Sequence, residues 1–314
     1  MSSLAALGAL VGALAAPPPC CGRGPDASLP VLVPDASFAP IPASPDPALQ
    51  RALEARVLAE PSWRALVRER KLAVGVVDLA AFESPRLGAL NPDTMIYAAS
   101  LPKIAILLGA YQALEDGRLE MTEKLDQDMH SMIRVSNNEA ATRVLDCVGY
   151  EGIARTLQDP RYRLFDADTG GGLWCGKRYA KEGDRRPDPL CGLVHGATVR
   201  QTLRFYHLLA AGRLVSPERS REMLDHLVAP GLFYKFACAL SARDPAAALY
   251  RKSGSWRVWH ADSALVWDTE GRRYIAVALV ESPDGERILQ GLAVAIEEAL
   301  DATPAGPALP IAAR

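Results

Sequence analysis

Strand-like segments stand near the two ends of this chain, with a long helical stretch between them, and that arrangement restricts the fold more than any other feature. Leu72-Ala73-Val74-Gly75-Val76-Val77-Asp78 is short, β-branched and mostly apolar, which reads as a strand buried on both faces. Leu249–Ser253, Ser263–Trp267 and Tyr274–Glu281 read as antiparallel neighbours with tight polar links such as Asp268-Thr269-Glu270-Gly271. Between them, Ile104, Leu107, Leu108, Tyr111 and Leu114 stripe one face of a helix that Gly117 can end. Asn138–Cys147, Val199–Ala211 and Pro217–Leu227 repeat the helical period, the last capped by Ser216. Asp46-Pro47 opens a further helix to about Ala59, and Glu286 to about Leu300 forms the last. The expectation is an α+β fold: an antiparallel sheet built from both chain ends with flanking helices, plus an all-helical lobe over about 100–240. Chemistry favours the seam between two such lobes.

The ends of the chain differ from this middle. Leu4–Ala16 is an uncharged apolar run too short to span a bilayer, and Ala13-Leu14-Ala15 suits a cleavage site. Residues 1–16 therefore read as a secretory signal, or else as an Ala-rich tail, since no Lys or Arg precedes the run. Residues 17–46 alternate Pro, Ala, Ser and Gly without a period and read as a disordered linker, and 302–314 as a disordered tail. The catalytic domain is then 47–301, in a mature protein expected to be periplasmic or secreted, monomeric and without a membrane segment. Among six cysteines, Cys175 and Cys191 bracket a Gly- and Pro-rich stretch that a disulfide would close, and Cys147 reads as a buried small hydrophobe. Thirty-five basic against 37 acidic residues, with no basic block, give a nucleic-acid partner no electrostatic support. The five histidines show no ligand spacing, so neither a metal nor another cofactor is expected.

Three short polar motifs carry the chemistry, in fixed order: Ser100-Leu101-Pro102-Lys103, Ser136-Asn137-Asn138 and Lys252-Ser253-Gly254. A serine hydroxyl needs a base before it attacks, and Lys103, one turn on, is placed to reach Ser100. A lysine base must be neutral, which burial and a second cation, Lys252, both favour. Free amides at a helix start suit a developing oxyanion, with the Ser100 amide as one donor and the Ser255 amide, after flexible Gly254, as the other. Each motif also has a plain structural reading: Ser100 and Ser136 as helix caps, and Lys252 as a solvated strand end.

In order and local context the trio resembles the class A serine β-lactamases within the penicilloyl serine transferases, over about Pro47 to Leu300. The resemblance implies that Ser100 is the nucleophile, with Lys103 its partner. It implies that Ser136 passes a proton to the leaving nitrogen, that Asn138 holds the substrate side chain, and that Lys252 and Ser253 bind the β-lactam carboxylate. Three departures accompany it. Asn137 replaces an aspartate, and only 36 positions separate Ser100 from Ser136, which implies a trimmed helical lobe. No E-x-x-L-N precedes the Thr198 helix, where the family keeps the glutamate that activates the deacylating water. Glu182 lies near the expected distance and is the candidate for that role, with solvated loop charge as the alternative. The expected activity is β-lactam opening through an acyl-enzyme on Ser100. The alternatives are a D,D-peptidase or penicillin-binding enzyme acting on cell-wall peptides, and a sensor holding a stable adduct.

Overall fold

The computed structural model describes residues 33–268 and 272–304. The signal reading of 1–16, most of the linker, the link at 269–271 and nearly all of the tail lie outside them. After a short 3-10 turn at Asp35–Ser37 come α1 (Pro47–Val57), α2 (Pro61–Arg68), β1 (Leu72–Asp78) and β2 (Arg86–Leu90). The cap of α1 is the expected one, Asp46 Oδ1 accepting from the amides of Ala48 at 3.1 Å and Leu49 at 2.8 Å. Next come β3 (Ile96–Tyr97), α3 (Lys103–Glu115), α4 (Glu123–Arg134), α5 (Asn138–Val148) and α6 (Tyr150–Gln158). Short strands follow: β4 (Phe165–Asp166), β5 (Gly171–Gly172), β6 (Trp174–Cys175) and β7 (His195–Ala197). The chain closes with α7 (Val199–Ala210), α8 (Pro217–Leu227), α9 (Phe236–Arg243), β8 (Ala248–Trp256), β9 (Trp259–Trp267), β10 (Arg273–Glu281) and α10 (Gly285–Asp301).

Both chain ends build one antiparallel sheet of order β2-β1-β10-β9-β8, as expected. All seven residues of β1 are buried, because the strand is covered on both sides. Val74 and Val76 face one core with Leu49 and Leu53 of α1 and Leu289 and Leu292 of α10, while Ala73 and Val77 face the helical side. Gly75 is where α7 comes closest: a Cβ there would stand 2.6 Å from Val199 Cγ1. Helix α3 is buried all round from Lys103 to Leu114 rather than along one stripe, packed among α4, α5, α6 and α8. Its small residues permit this. At Gly109 even a Cβ would press on Ile153 at 3.1 Å.

Several expectations need correction. Residues 33–46 are not a free linker. Phe38 stacks on His207 of α7 with centroids 4.8 Å apart, and Asp46 N donates to Leu87 O at 2.8 Å. Helix α9 belongs to the sheet layer, since Phe236, Ala237 and Leu240 join the α10 core, so the helical lobe stops at α8. Cys175 and Cys191 are free thiols, one buried and the other exposed, and Cys147 is exposed as well. Asp188 ties the 188–193 turn instead, its carboxylate accepting from the amides of Leu190, Cys191 and Leu193 at 2.6–2.9 Å.

The strand pair that carries Lys252 is fixed by a buried ion pair. Asp262 on β9 accepts from Arg251 Nε and Nη2 at 2.9 and 2.7 Å and from the Phe236 amide at 3.0 Å, with both side chains almost wholly buried. Removing one partner leaves an uncompensated interior charge. Asp262→Ala is expected to lower unfolding stability by about 3 kcal/mol or more in a denaturant titration, and a loss under about 1 kcal/mol would refute that role.

Candidate active site

The site lies where the turn before α3, the turn before α5 and strand β8 converge. Ser100 sits half-buried in a tight turn, its carbonyl accepting from Lys103 N at 3.2 Å. Neither its amide nor its hydroxyl makes a hydrogen bond among the described residues. Ala99 before it has φ 51°, a left-handed conformation uncommon outside glycine that turns the chain sharply out of β3. Gly254 explains how β8 reaches this turn. A Cβ there would stand 2.2 Å from Ala98 O and 2.7 Å from Ser100 N, so only glycine lets the strand lie against the Ser100 amide.

Lys103 and Lys252 come from different lobes and meet at one hydroxyl. Ser136 Oγ accepts from Lys103 Nζ at 3.3 Å and from Lys252 Nζ at 3.0 Å. Lys103 Nζ also donates to Ser136 O at 2.6 Å and Asn138 Oδ1 at 2.8 Å, and Lys252 Nζ to Ser253 O at 2.7 Å. Thus the Lys103 amine is held by the middle motif and makes no hydrogen bond to Ser100, which corrects the expectation of direct contact. Ser136 arranges this through its own backbone: at φ 59° its carbonyl and hydroxyl both reach Lys103. Asn137 caps α5 by accepting from Ala140 N at 2.8 Å, the role that the structural reading had given to Ser136.

Both amines are driven toward their neutral form. Lys103 and Lys252 are 0% and 2% exposed. Burial lowers Lys103 from 10.5 to about 7, and burial first, then the nearby Lys103 charge, lowers Lys252 well below its usual value. No carboxylate accepts a hydrogen bond from either amine among the described residues.

The β8 edge is supported by groups that no motif marked. Lys235, buried at the entry to α9, donates to Gly254 O and Ser255 Oγ, both at 2.7 Å, and burial lowers it to about 8. Tyr234 OH lies 3.2 Å from Ser253 Oγ, and His260 Nδ1 lies 3.3 Å from Ser255 Oγ. Lys235 follows an apolar stretch with no local pattern of its own. Its role arises from the β8 fold-back and had no sequence signal.

Glu182 does not join the site. It is exposed in the loop between the paired residues Lys177 and Arg185 and makes no hydrogen bond or ion pair among the described residues. Tyr179 of the same loop turns inward instead, its ring centroid 4.4 Å from Lys103 Nζ. Glu182→Gln is therefore expected to leave both formation and decay of any acyl adduct within about threefold of the parent by stopped-flow kinetics; a trapped adduct in the variant would restore its catalytic role.

The model of the Beta-lactamase enzyme family matches residues 124–300. No curated protein matches the sequence of this chain. Among solved structures, that of PBP-A superposes with a TM-score of 0.62 at 18% identity, over 84% of this chain and 99% of that one. A β-lactamase from Sphaerobacter thermophilus gives 0.61 at 18% identity, over 82% and 97%. A mutant of the class A β-lactamase of the last common ancestor of Gram-negative bacteria gives 0.58 at 16%, over 77% and 97%. At such identities the structural likeness establishes the fold.

Proposed function

The chain belongs to the Beta-lactamase enzyme family, and from that premise we propose that it opens β-lactams by forming an acyl-enzyme on Ser100. The observation that carries this reading is the convergence of two buried lysines on Ser136 Oγ beside a serine whose hydroxyl and amide are both unbonded among the described residues. Neutral Lys103, one turn from Ser100, takes the hydroxyl proton as the oxygen attacks the lactam carbonyl. The Ser100 amide, with that of Ser255, receives the developing oxyanion. Ser136 donates its proton to the leaving nitrogen and regains one from Lys103. Lys252 and Ser253 hold the substrate carboxylate, whose charge favours a protonated Lys252, and Asn138 contacts the substrate side chain.

A second reading concerns the fate of the adduct. With Glu182 exposed and no carboxylate bonded to Lys103 among the described residues, none of these residues in the site matches a dedicated base for water. This favours slow release, as in a D,D-peptidase or penicillin-binding enzyme acting on cell-wall peptides in an exported protein. One neighbour of the same fold is a mutant of PBP-A in an acyl-enzyme complex with penicillin G (TM-score 0.62, 18% identity), so this architecture can hold such an adduct. The test is intact-mass spectrometry after mixing with penicillin, followed over time. An adduct equal to the whole drug mass that outlasts minutes supports the second reading, whereas rapid loss with drug consumed supports a β-lactamase. No adduct and no consumption contradicts both.

A further inference from the structure

Tyr179 enters the site from a loop that no motif marks, and three contacts fix its ring. Its hydroxyl donates to Ala99 O at 3.1 Å, beside the nucleophile. One face packs parallel on His195, with centroids 4.3 Å apart and planes 4° from coplanar. His195 is itself held by Lys177 O at 2.8 Å from Nε2 and by Tyr97 OH at 3.4 Å from Nδ1. Lys103 Nζ lies 4.4 Å from the Tyr179 ring centroid. The ring thus spans from the carbonyl preceding Ser100 to the Lys103 amine and closes that flank of the site.

Two chemical consequences follow from this wall. An aromatic face offers the Lys103 amine no competing hydrogen-bond acceptor, so the amine keeps its contacts with Ser136 and Asn138. It also denies a water the place where Lys103 could activate it. Burial raises the phenol well above its ordinary range, so Tyr179 stays neutral and is no base itself. His195 is likewise neutral, lowered to about 4 by burial, so the stack adds no charge beside the amine.

We propose that Tyr179 is a positioning residue that keeps water from the Ser100 ester and so sets the lifetime of the acyl-enzyme. The role rests on the acyl-enzyme reading above. The step it suppresses is hydrolysis: Lys103 takes a proton from water, the oxygen bonds to the acyl carbon, and the bond to Ser100 Oγ breaks. The Ser100 oxygen then recovers the proton from Lys103.

The test compares the full chain with Tyr179→Ala, Tyr179→Leu and Tyr179→Phe, using penicillin as the acylating probe and intact mass to follow formation and loss separately. Tyr179→Ala should shorten the adduct lifetime by about tenfold or more while forming the adduct within about threefold of the parent rate. Tyr179→Leu, which keeps apolar bulk if the alanine variant fails to fold, should move the lifetime in the same direction. Tyr179→Phe keeps the ring and should restore the parent lifetime, a rescue that loss of general stability would not give. Equal lifetimes in the parent and in Tyr179→Leu overturn the role of Tyr179 alone. A phenylalanine variant as short-lived as the alanine one overturns the wall and assigns the effect to the Ala99 hydrogen bond. A parent that forms no adduct overturns the acyl-enzyme reading, and the Tyr179 role with it.

Discussion

Ser100→Ala is expected to carry no acyl adduct after exposure to penicillin and to lose acylation by about ten-thousandfold or more, because no other hydroxyl among the described residues stands in its setting. Ser136, nearest in character, is committed to two lysine amines. Ser253 Oγ is engaged by Tyr234, and Ser255 Oγ by Lys235. Among the described residues, Ser100 alone combines an unbonded hydroxyl, an unbonded amide and a lysine one turn along. Its geometry depends on the strained Ala99 and on Gly254, so the fold and the remaining site should persist in the alanine variant, where the hydroxyl is simply removed. The measurement is the pseudo-first-order acylation rate; a variant acylating within tenfold of the parent would place the nucleophile elsewhere.

Lys103→Ala should slow acylation by about a hundredfold to ten-thousandfold, the range for loss of a general base, with a smaller effect on initial capture. In the parent, the pH profile should carry the same signature. The base is the neutral amine, and burial sets Lys103 at about 7, so the neutral fraction is small below that pH and dominant above it. Acylation should therefore climb about tenfold per pH unit between pH 5 and 6.5 and level off above about pH 8. The direction is fixed by desolvation: a lysine at its ordinary value would still be protonated at pH 8 and would give a rising limb there instead. Lys252→Ala should differ in kind, harming capture and acylation together, because Lys252 sits on the strand proposed to receive the substrate carboxylate. An unchanged acylation rate in Lys103→Ala, or a flat profile from pH 5 to 8, would show the base to be misassigned.

Much of the fold was legible because its signals are local. The β-branched run of β1, the Asp46-Pro47 start of α1 and the Ser216 cap of α8 each identify an element from a few adjacent residues. The short strands β3 to β7 were not legible, since two- and three-residue pairings carry no period and form only when the surrounding lobes bring them together. Segment 33–46 misled for a related reason. Its Pro- and Ala-rich composition reads as a linker, yet a few apolar side chains, Phe38 and Ile41 among them, find a groove on the finished core.

The site divides along the same line. That Ser100, Lys103, Ser136 and Lys252 gather in one place was readable because each motif couples a polar side chain to a helix-start or strand context. Counting along the chain toward a water-activating carboxylate selected Glu182, but separation in sequence does not say which side of a loop faces inward. The loop between Lys177 and Arg185 turns Tyr179 in and Glu182 out. Lys235 and the Arg251–Asp262 pair were invisible for want of any short-range pattern, although they hold the strand that carries the third motif. The engagement of Lys103 by Ser136 rather than Ser100 depends on a left-handed residue, and a serine gives no warning of that conformation.

The central claim is that one serine, Ser100, takes the acyl group. The most direct measurement is peptide mapping by tandem mass spectrometry of the full-length protein quenched after brief exposure to penicillin. A single penicilloyl mass increment is expected on the peptide containing Ser100-Leu101-Pro102-Lys103, with fragment ions placing it on Ser100. An increment on Ser136, Ser253, Ser255 or any other residue, or no covalent adduct while the drug is consumed, would contradict that claim.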